Sequence, residues 1–383
     1  MHMADALITP AVGGAGWATS AALAGYSSSR LRRSCEQTNA PLMGVTAAFV
    51  FAAQMINFSI PATGSSGHLG GGLLLAALLG PHAAFLAMAS ILTVQALFFA
   101  DGGLLALGCN VFNLGFFPCF IAYPLLFRPL AGAQLSRPRL IAASIVAAVV
   151  GLQLGAFAVV METVLSGISA LPFGAFILVM QPIHLAIGVV EGLATAAVLL
   201  FVWQARPEVI RAAAGEEQTS GKAPARLLAG FAAAALMIGA LLSWFASASP
   251  DGLEWAMERT SGQSELQAPE AGPHGLLASL QERLAFLPDY GLPDAEPGTE
   301  PGVERVIKSR ADTVFDPAGH PATAPSTKGE GQPATAAGEA KEAWPAVDKG
   351  TSLAGAVGAA LTLLFAGLVG LIIRRFSPAV KNG

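Results

Sequence analysis

The sequence predicts an all-α membrane protein, a polytopic helical bundle of about nine transmembrane helices with one long external loop. Three observations predict it. Of 383 residues 54% are apolar and only 12% charged, about half the charged share of a soluble domain. The mean hydropathy is +0.59, and the 43 Gly and 25 Pro suit membrane helices, which tolerate both better than helices in water do. The charges are also segregated. Residues 251–349 hold 17 acidic and 8 basic side chains with 11 of the prolines, whereas the other 284 residues carry 8 acidic and 13 basic groups between apolar runs. This composition excludes a soluble enzyme. Three Cys, two of them in apolar sequence, also exclude a secreted disulfide scaffold and suggest neither a redox nor a thiolate–metal site.

Apolar runs of spanning length lie at 8–27, 41–58, 84–100, 104–127, 139–161, 172–204, 226–247 and 351–373. The stretch 69–79, between His68 and Pro81, is short and counts as the third span. Basic residues test the count. Arg30, Arg32 and Arg33 follow the first span; Arg128, Arg137 and Arg139 lie between the fifth and sixth; Arg206, Arg211, Lys222 and Arg226 follow the seventh; Arg374, Arg375 and Lys381 end the chain. With nine spans and an external N-terminus all of them are cytoplasmic, as the positive-inside rule requires. The loop 248–350 then lies outside and the C-terminus inside. The start lacks the basic n-region of a signal peptide, so Met1 is expected to remain as the first residue. Gly14, Ala18 and Ala22 form a small-xxx-small stripe for close helix approach, within the chain or to another subunit.

Few residues can carry chemistry. His274 and His320 fall in the Pro-rich loop and are expected to be solvated, and His82 follows Pro81 in a cap or surface role. His2 differs, because a Met-His start offers the α-amine, the His2 amide nitrogen and its imidazole as fused chelate rings. Ni²⁺ and Cu²⁺ favour such square-planar nitrogen ligation, whereas Zn²⁺ favours a tetrahedron. The loop Ser59-Ile-Pro-Ala-Thr-Gly-Ser-Ser-Gly-His68-Leu-Gly-Gly-Gly lies on the same outer face, with His68 as the natural fourth nitrogen. It lacks the Lys-Ser/Thr pair of a P-loop, and no such motif occurs elsewhere, so the chain is not expected to hydrolyse ATP.

The seventh span places Gln181, His184, Gly188, Glu191 and Thr195 on one face, as a functional cluster or as a pair fastening helices. Gln95, Asp101, Asn110 and Asn113 are candidates to orient the metal-binding imidazoles. Two other classes stay open. An intramembrane hydrolase would need Ser66 against His68 or His184, and a metal sensor would need a signalling domain.

The start Met-His-Met-Ala-Asp-Ala-Leu-Ile-Thr-Pro, the Gly-rich loop, the run from Gln95 to Asn110 and the seventh-span run around Glu191 resemble the NikM/CbiM family, the substrate-capturing membrane components of energy-coupling-factor transporters for nickel and cobalt. The resemblance covers roughly 1–205; after a cytoplasmic linker at 206–225, residues 226–383 resemble the small partner NikN, marked by Pro250-Asp-Gly-Leu-Glu254. It implies a metal held by Met1, His2 and His68, with Asp5 at the position of a family acidic residue, although Ala6 departs from the Gly that usually follows. Ser66, Gln95, Asp101, Asn110, His184 and Glu191 complete the expected surroundings. It further implies a bacterial inner-membrane subunit that works with a NikQ/CbiQ-like coupling subunit and NikO/CbiO-like ATPases, in contact with lipid and with no nucleic acid. The substrate is Ni²⁺, preferred over Co²⁺ because the PDGLE signature resembles the nickel-type partner, and no organic cofactor is expected. Much of 262–345, rich in Pro, Ala and Glu, is expected to be flexible.

Overall fold

The computed structural model describes residues 2–33, 39–132, 134–213, 225–292 and 345–376. The chain folds as a helical bundle in which a helix stands at each place where the sequence has an apolar run. These are α1 (Pro10–Arg33), α2 (Ala40–Gln54), α3 (Gly72–Leu79), α4 (Pro81–Phe98), α5 (Leu107–Ala131), α6 (Arg137–Ser166), α7 (Phe173–Ala205), α9 (Ala225–Ala240) and α12 (Lys349–Arg375). Five of them, α4, α5, α6, α7 and α12, are long and apolar enough to cross a membrane. α2 and α9 are apolar but shorter, and α3 has only eight residues, so the nine-span count is not reached by length and composition alone.

Local sequence sets the ends. Pro81 occupies the first turn of α4, where its missing N–H costs nothing, directly after Gly80. His82 follows it, half-buried beside Ser27 and Tyr26. Within α5 residues Phe112–Phe127 widen to π geometry around Pro118 and Pro124, which supply no N–H to a regular ladder. Gly167, in left-handed conformation, closes α6.

The core runs through α2, α3, α4 and α5, where Met43, Phe51, Leu75, Phe85 and Met88 are fully buried. α6 and α7 pack along each other, and Gly192 lies where a Cβ would strike the Ile145 backbone. α12 lies against α2, and it meets α9 backbone to backbone at Gly239 and Gly355. Small residues let membrane helices approach this closely. In contrast, the stripe Gly14, Ala18 and Ala22 faces outward, and α1 instead packs through Gly13 and Gly16 onto the start of α5.

Two expectations need correction, the wholly helical fold and the solvated His274. The chain is not wholly helical, because Phe58–Ile60 (β1) and Ser65–Gly67 (β2) form an antiparallel hairpin pairing Ser59 with Ser66. Within the described residues the insert carries α10 (Gly252–Ser261) and α11 (Pro273–Leu284); most of the segment expected to be flexible, 293–344, lies outside the described residues. His274 is buried, not solvated, because its Nε2 bonds the Ile8 carbonyl at 2.8 Å. His320, Cys35 and residues 214–224 of the expected linker also lie outside the described residues, and the linker opens with the short helix α8 (Pro207–Ala213).

Candidate metal centre

The N-terminal arm is held in place by hydrogen bonds to the loop after α4 and the first turn of α5. Asn110 clamps Met3 at two points: its Oδ1 accepts from the Met3 N–H at 2.8 Å and its Nδ2 donates to the Met3 carbonyl at 3.1 Å. The Gly103 N–H also reaches the Met3 carbonyl, at 3.0 Å. Asp5 is buried and accepts from the Ala106 N–H at 2.9 Å. Its burial raises its pKa. Asp5 is thus an anchor of the arm through the start of α5.

This anchoring places His2. Its Nδ1 lies 2.7 Å from Asp101 Oδ1, while its Nε2 is buried with no hydrogen-bond partner among the described residues. The other Asp101 oxygen accepts from the Tyr290 hydroxyl at 2.5 Å. Burial works to raise the Asp101 pKa, but His2 and the Tyr290 hydrogen bond outweigh it and hold the carboxyl well below its usual range.

The second imidazole arrives on the Gly-rich loop. His68 stacks on His2 with ring centroids 5.1 Å apart. Its Nδ1 lies 3.2 Å from the Leu69 carbonyl, a contact that favours the tautomer with the proton on Nδ1. Burial pushes the His68 pKa down to about 3, so the ring is neutral near pH 7.

The loop itself is held from below by α7. Glu191 accepts from the Gly70 N–H at 3.1 Å and the Gly71 N–H at 3.0 Å, one to each oxygen. Gly71 has φ +76°, a conformation few other residues adopt without strain. Gln54 donates to the Gly70 carbonyl at 2.9 Å and accepts from Gln95 at 3.0 Å.

The remaining candidates stand further off. His184 is buried on the inward face of α7 with Gly188, Glu191 and Thr195, and Gln181 is half-buried there. Its Nδ1 lies 2.8 Å from the Met180 carbonyl. Asn113 donates to Glu162 at 2.7 Å and takes no part in the imidazole pair. Ser66 donates its hydroxyl to the Ser249 carbonyl at 2.7 Å. Met1 lies outside the described residues.

The insert contributes residues that sequence reasoning did not single out. Asp251 Oδ2 stands 3.8 Å from His68 Nε2. Gln281 on α11 donates to the Gly102 carbonyl at 2.8 Å and the Ala96 carbonyl at 2.9 Å. Together with the N-terminal arm these segments enclose a cleft of about 750 Å³, lined by His2, His68 and the carboxylates of Asp101, Asp251, Glu254, Glu265, Asp289 and Asp348, with no Lys or Arg among its described lining. Asp251 and Glu254 belong to the PDGLE motif, which was visible. Nothing local pointed to Tyr290 except that the chain has just three Tyr.

Among the described residues no three His, Cys, Asp or Glu side chains form a metal-binding group by themselves. The stacked imidazoles of His2 and His68 nonetheless stand at the floor of a cleft lined by carboxylates, a setting suited to a cation. The class defined is a multi-pass membrane protein with an acidic cleft that holds two stacked imidazoles. The chain belongs to the CbiM family: residues 2–209 match the model of the cobalt uptake substrate-specific transmembrane region, and residues 225–375 match the PDGLE domain, the arrangement of a fused NikMN transporter component. It is a nickel/cobalt transport component of that family.

A putative fused nickel transport protein NikMN of Archaeoglobus fulgidus is 35% identical over 297 residues, covering 78% of this chain and 90% of its own. The fused nickel transport protein NikMN of Rhodobacter capsulatus is 29% identical, covering 76% of this chain and 88% of its own. A crystal structure of a transition metal transporter is 27% identical, with a TM-score of 0.49 over 58% of this chain and all of that one.

Proposed function

We propose that the protein captures Ni²⁺ at the external face of a bacterial inner membrane and passes it inward in a complex with an energy-coupling-factor transmembrane subunit and two ATPase subunits. The observation that carries the reading is the stacked pair His2 and His68, one neutral by burial, at the base of a cleft lined by carboxylates. The ligands in this reading are the Met1 amine, the His2 amide nitrogen and imidazole, and His68. A chelate ring between the amide and imidazole of one residue closes through Nδ1, so loading exchanges the His2–Asp101 hydrogen bond for the metal. Glu191, Asn110, Asp5 and Gln95 hold the two ligand-bearing segments without touching the ion.

The chain carries no P-loop, so nucleotide hydrolysis falls to separate subunits. The orientation proposed, N-terminus outside and C-terminus inside, rests on the distribution of basic residues, and the division proposed is 1–205, linker 206–225 and 226–383. Nickel is preferred because relatives sharing the PDGLE half are named nickel transport proteins. The second reading is the same role for Co²⁺, favoured by relatives named cobalt transport protein CbiM. Uptake of labelled Ni²⁺ by cells that also express coupling and ATPase subunits, with Co²⁺ as competitor, tests both. Uptake lost on His2→Ala and resistant to Co²⁺ supports nickel capture; uptake indifferent to His2→Ala contradicts the ligand set, and full competition by low Co²⁺ favours cobalt.

A further inference from the structure

The PDGLE motif has a structural meaning at every position. The Pro250 carbonyl accepts from the Ser66 N–H at 2.8 Å, so the motif begins by docking on the hairpin that precedes His68. Asp251 caps α10, its Oδ1 accepting from the Leu253 N–H at 2.8 Å and the Glu254 N–H at 2.9 Å, and Glu254 returns the bond to the Asp251 N–H at 2.9 Å. Gly252 seats against Ile187 and His184, where a Cβ would lie 2.9 Å from Ile187 Cδ1. Leu253 is 2% exposed, and the following Trp255 donates to the Thr63 carbonyl at 3.1 Å.

This seating sets the direction of both carboxylate oxygens. While Oδ1 is occupied by the helix N-terminus, Oδ2 faces His68 Nε2 at 3.8 Å, and the Asp251 side chain is 17% exposed. An ion bound to that nitrogen at about 2 Å lies beside the carboxylate. Capture through a deprotonated amide leaves a net positive charge on the metal site, and burying it without an opposing charge is unfavourable.

We propose that Asp251 is the charge partner of the captured ion, a positioning carboxylate that the PDGLE half contributes to a metal site whose ligands all come from the other half. The second half thereby completes the electrostatics of the first. The proposal rests on the ligand set of the preceding section.

The test is Ni²⁺ titration of the purified full chain carrying Asp251→Asn or Asp251→Ser, both good helix caps without the charge, beside His2→Ala and His68→Ala. Amide exchange at Ser66, whose N–H donates to Pro250, reports whether the motif remains docked. The expected result is a loss of roughly 10- to 100-fold in Ni²⁺ affinity in both Asp251 variants with Ser66 protection retained. Native affinity in either docked variant overturns the proposal. Loss of Ser66 protection in both variants also counts against it, by showing that the carboxylate acts in seating alone. If His2→Ala and His68→Ala bind as the native chain does, it is the ligand set that fails.

Discussion

Glu191 distinguishes a loop anchor from a metal ligand. Its two oxygens each accept one backbone N–H, from Gly70 and Gly71, in a buried setting. In Glu191→Gln the amide oxygen keeps one of these bonds, while the NH₂ group faces the other N–H and repels it. One hydrogen bond to a charged acceptor is lost, worth about 1.5–3 kcal/mol. If the loop must be closed for His68 to ligate, Ni²⁺ affinity falls by the same energy, roughly tenfold to a hundredfold. Isothermal titration measures the affinity and the absorption spectrum reports the ligand field. The expected outcome is weaker binding with an unchanged spectrum. A changed spectrum would make Glu191 a ligand, and unchanged affinity would remove it from the site altogether.

Three further outcomes follow from the same geometry. Asn110→Ala removes both bonds to Met3, about 0.5–1.5 kcal/mol each, and should lower the Ni²⁺-induced rise in melting temperature without lowering that of the metal-free protein by more than a few degrees. The His68 pKa is depressed from 6.5 to about 3 in the folded site, so the closed loop binds a proton less readily than the open one. Its stability is present above pH 6.5 and falls by ~1.4 kcal/mol per unit as the pH drops from there towards 3, which amide exchange across 58–71 should show as roughly tenfold faster opening per unit. Gly355→Leu puts a side chain onto the Gly239 backbone and should cost about 1–3 kcal/mol, lowering Tm while leaving the spectrum of bound Ni²⁺ unchanged; a shifted spectrum would show that the α9–α12 contact reaches the site.

Much of this was legible in sequence for definite reasons. A helix in lipid must be apolar along its whole length, so the runs that became α4 to α7 announce themselves, and the inward face of α7 follows from the spacing of His184, Gly188, Glu191 and Thr195. His2 and His68 stand out because neither belongs to a span and each sits in a sequence with one evident chemistry. The hairpin escaped because its three-residue strands, Phe58–Ile60 and Ser65–Gly67, show too little alternation to betray a strand. His274 and Tyr290 escaped for another reason. Their partners, the Ile8 carbonyl and the Asp101 carboxylate, are 266 and 189 residues away, and a Pro-rich polar segment gives no local sign that it will fold back over a site. Asp251 was in view as part of a motif, but its orientation towards His68 depends on the Ser66–Pro250 bond, which only the fold supplies.

In the proposed site the ion is held by the Met1 amine and His2 together with His68. This ligand set is tested most directly by Ni²⁺ binding to the detergent-purified chain beginning at Met1, beside the same chain extended by two residues before Met1. One Ni²⁺ with a diamagnetic square-planar spectrum is expected for the native form and none for the extended form. Equal binding by both would contradict it, because the terminal amine could then not be a ligand.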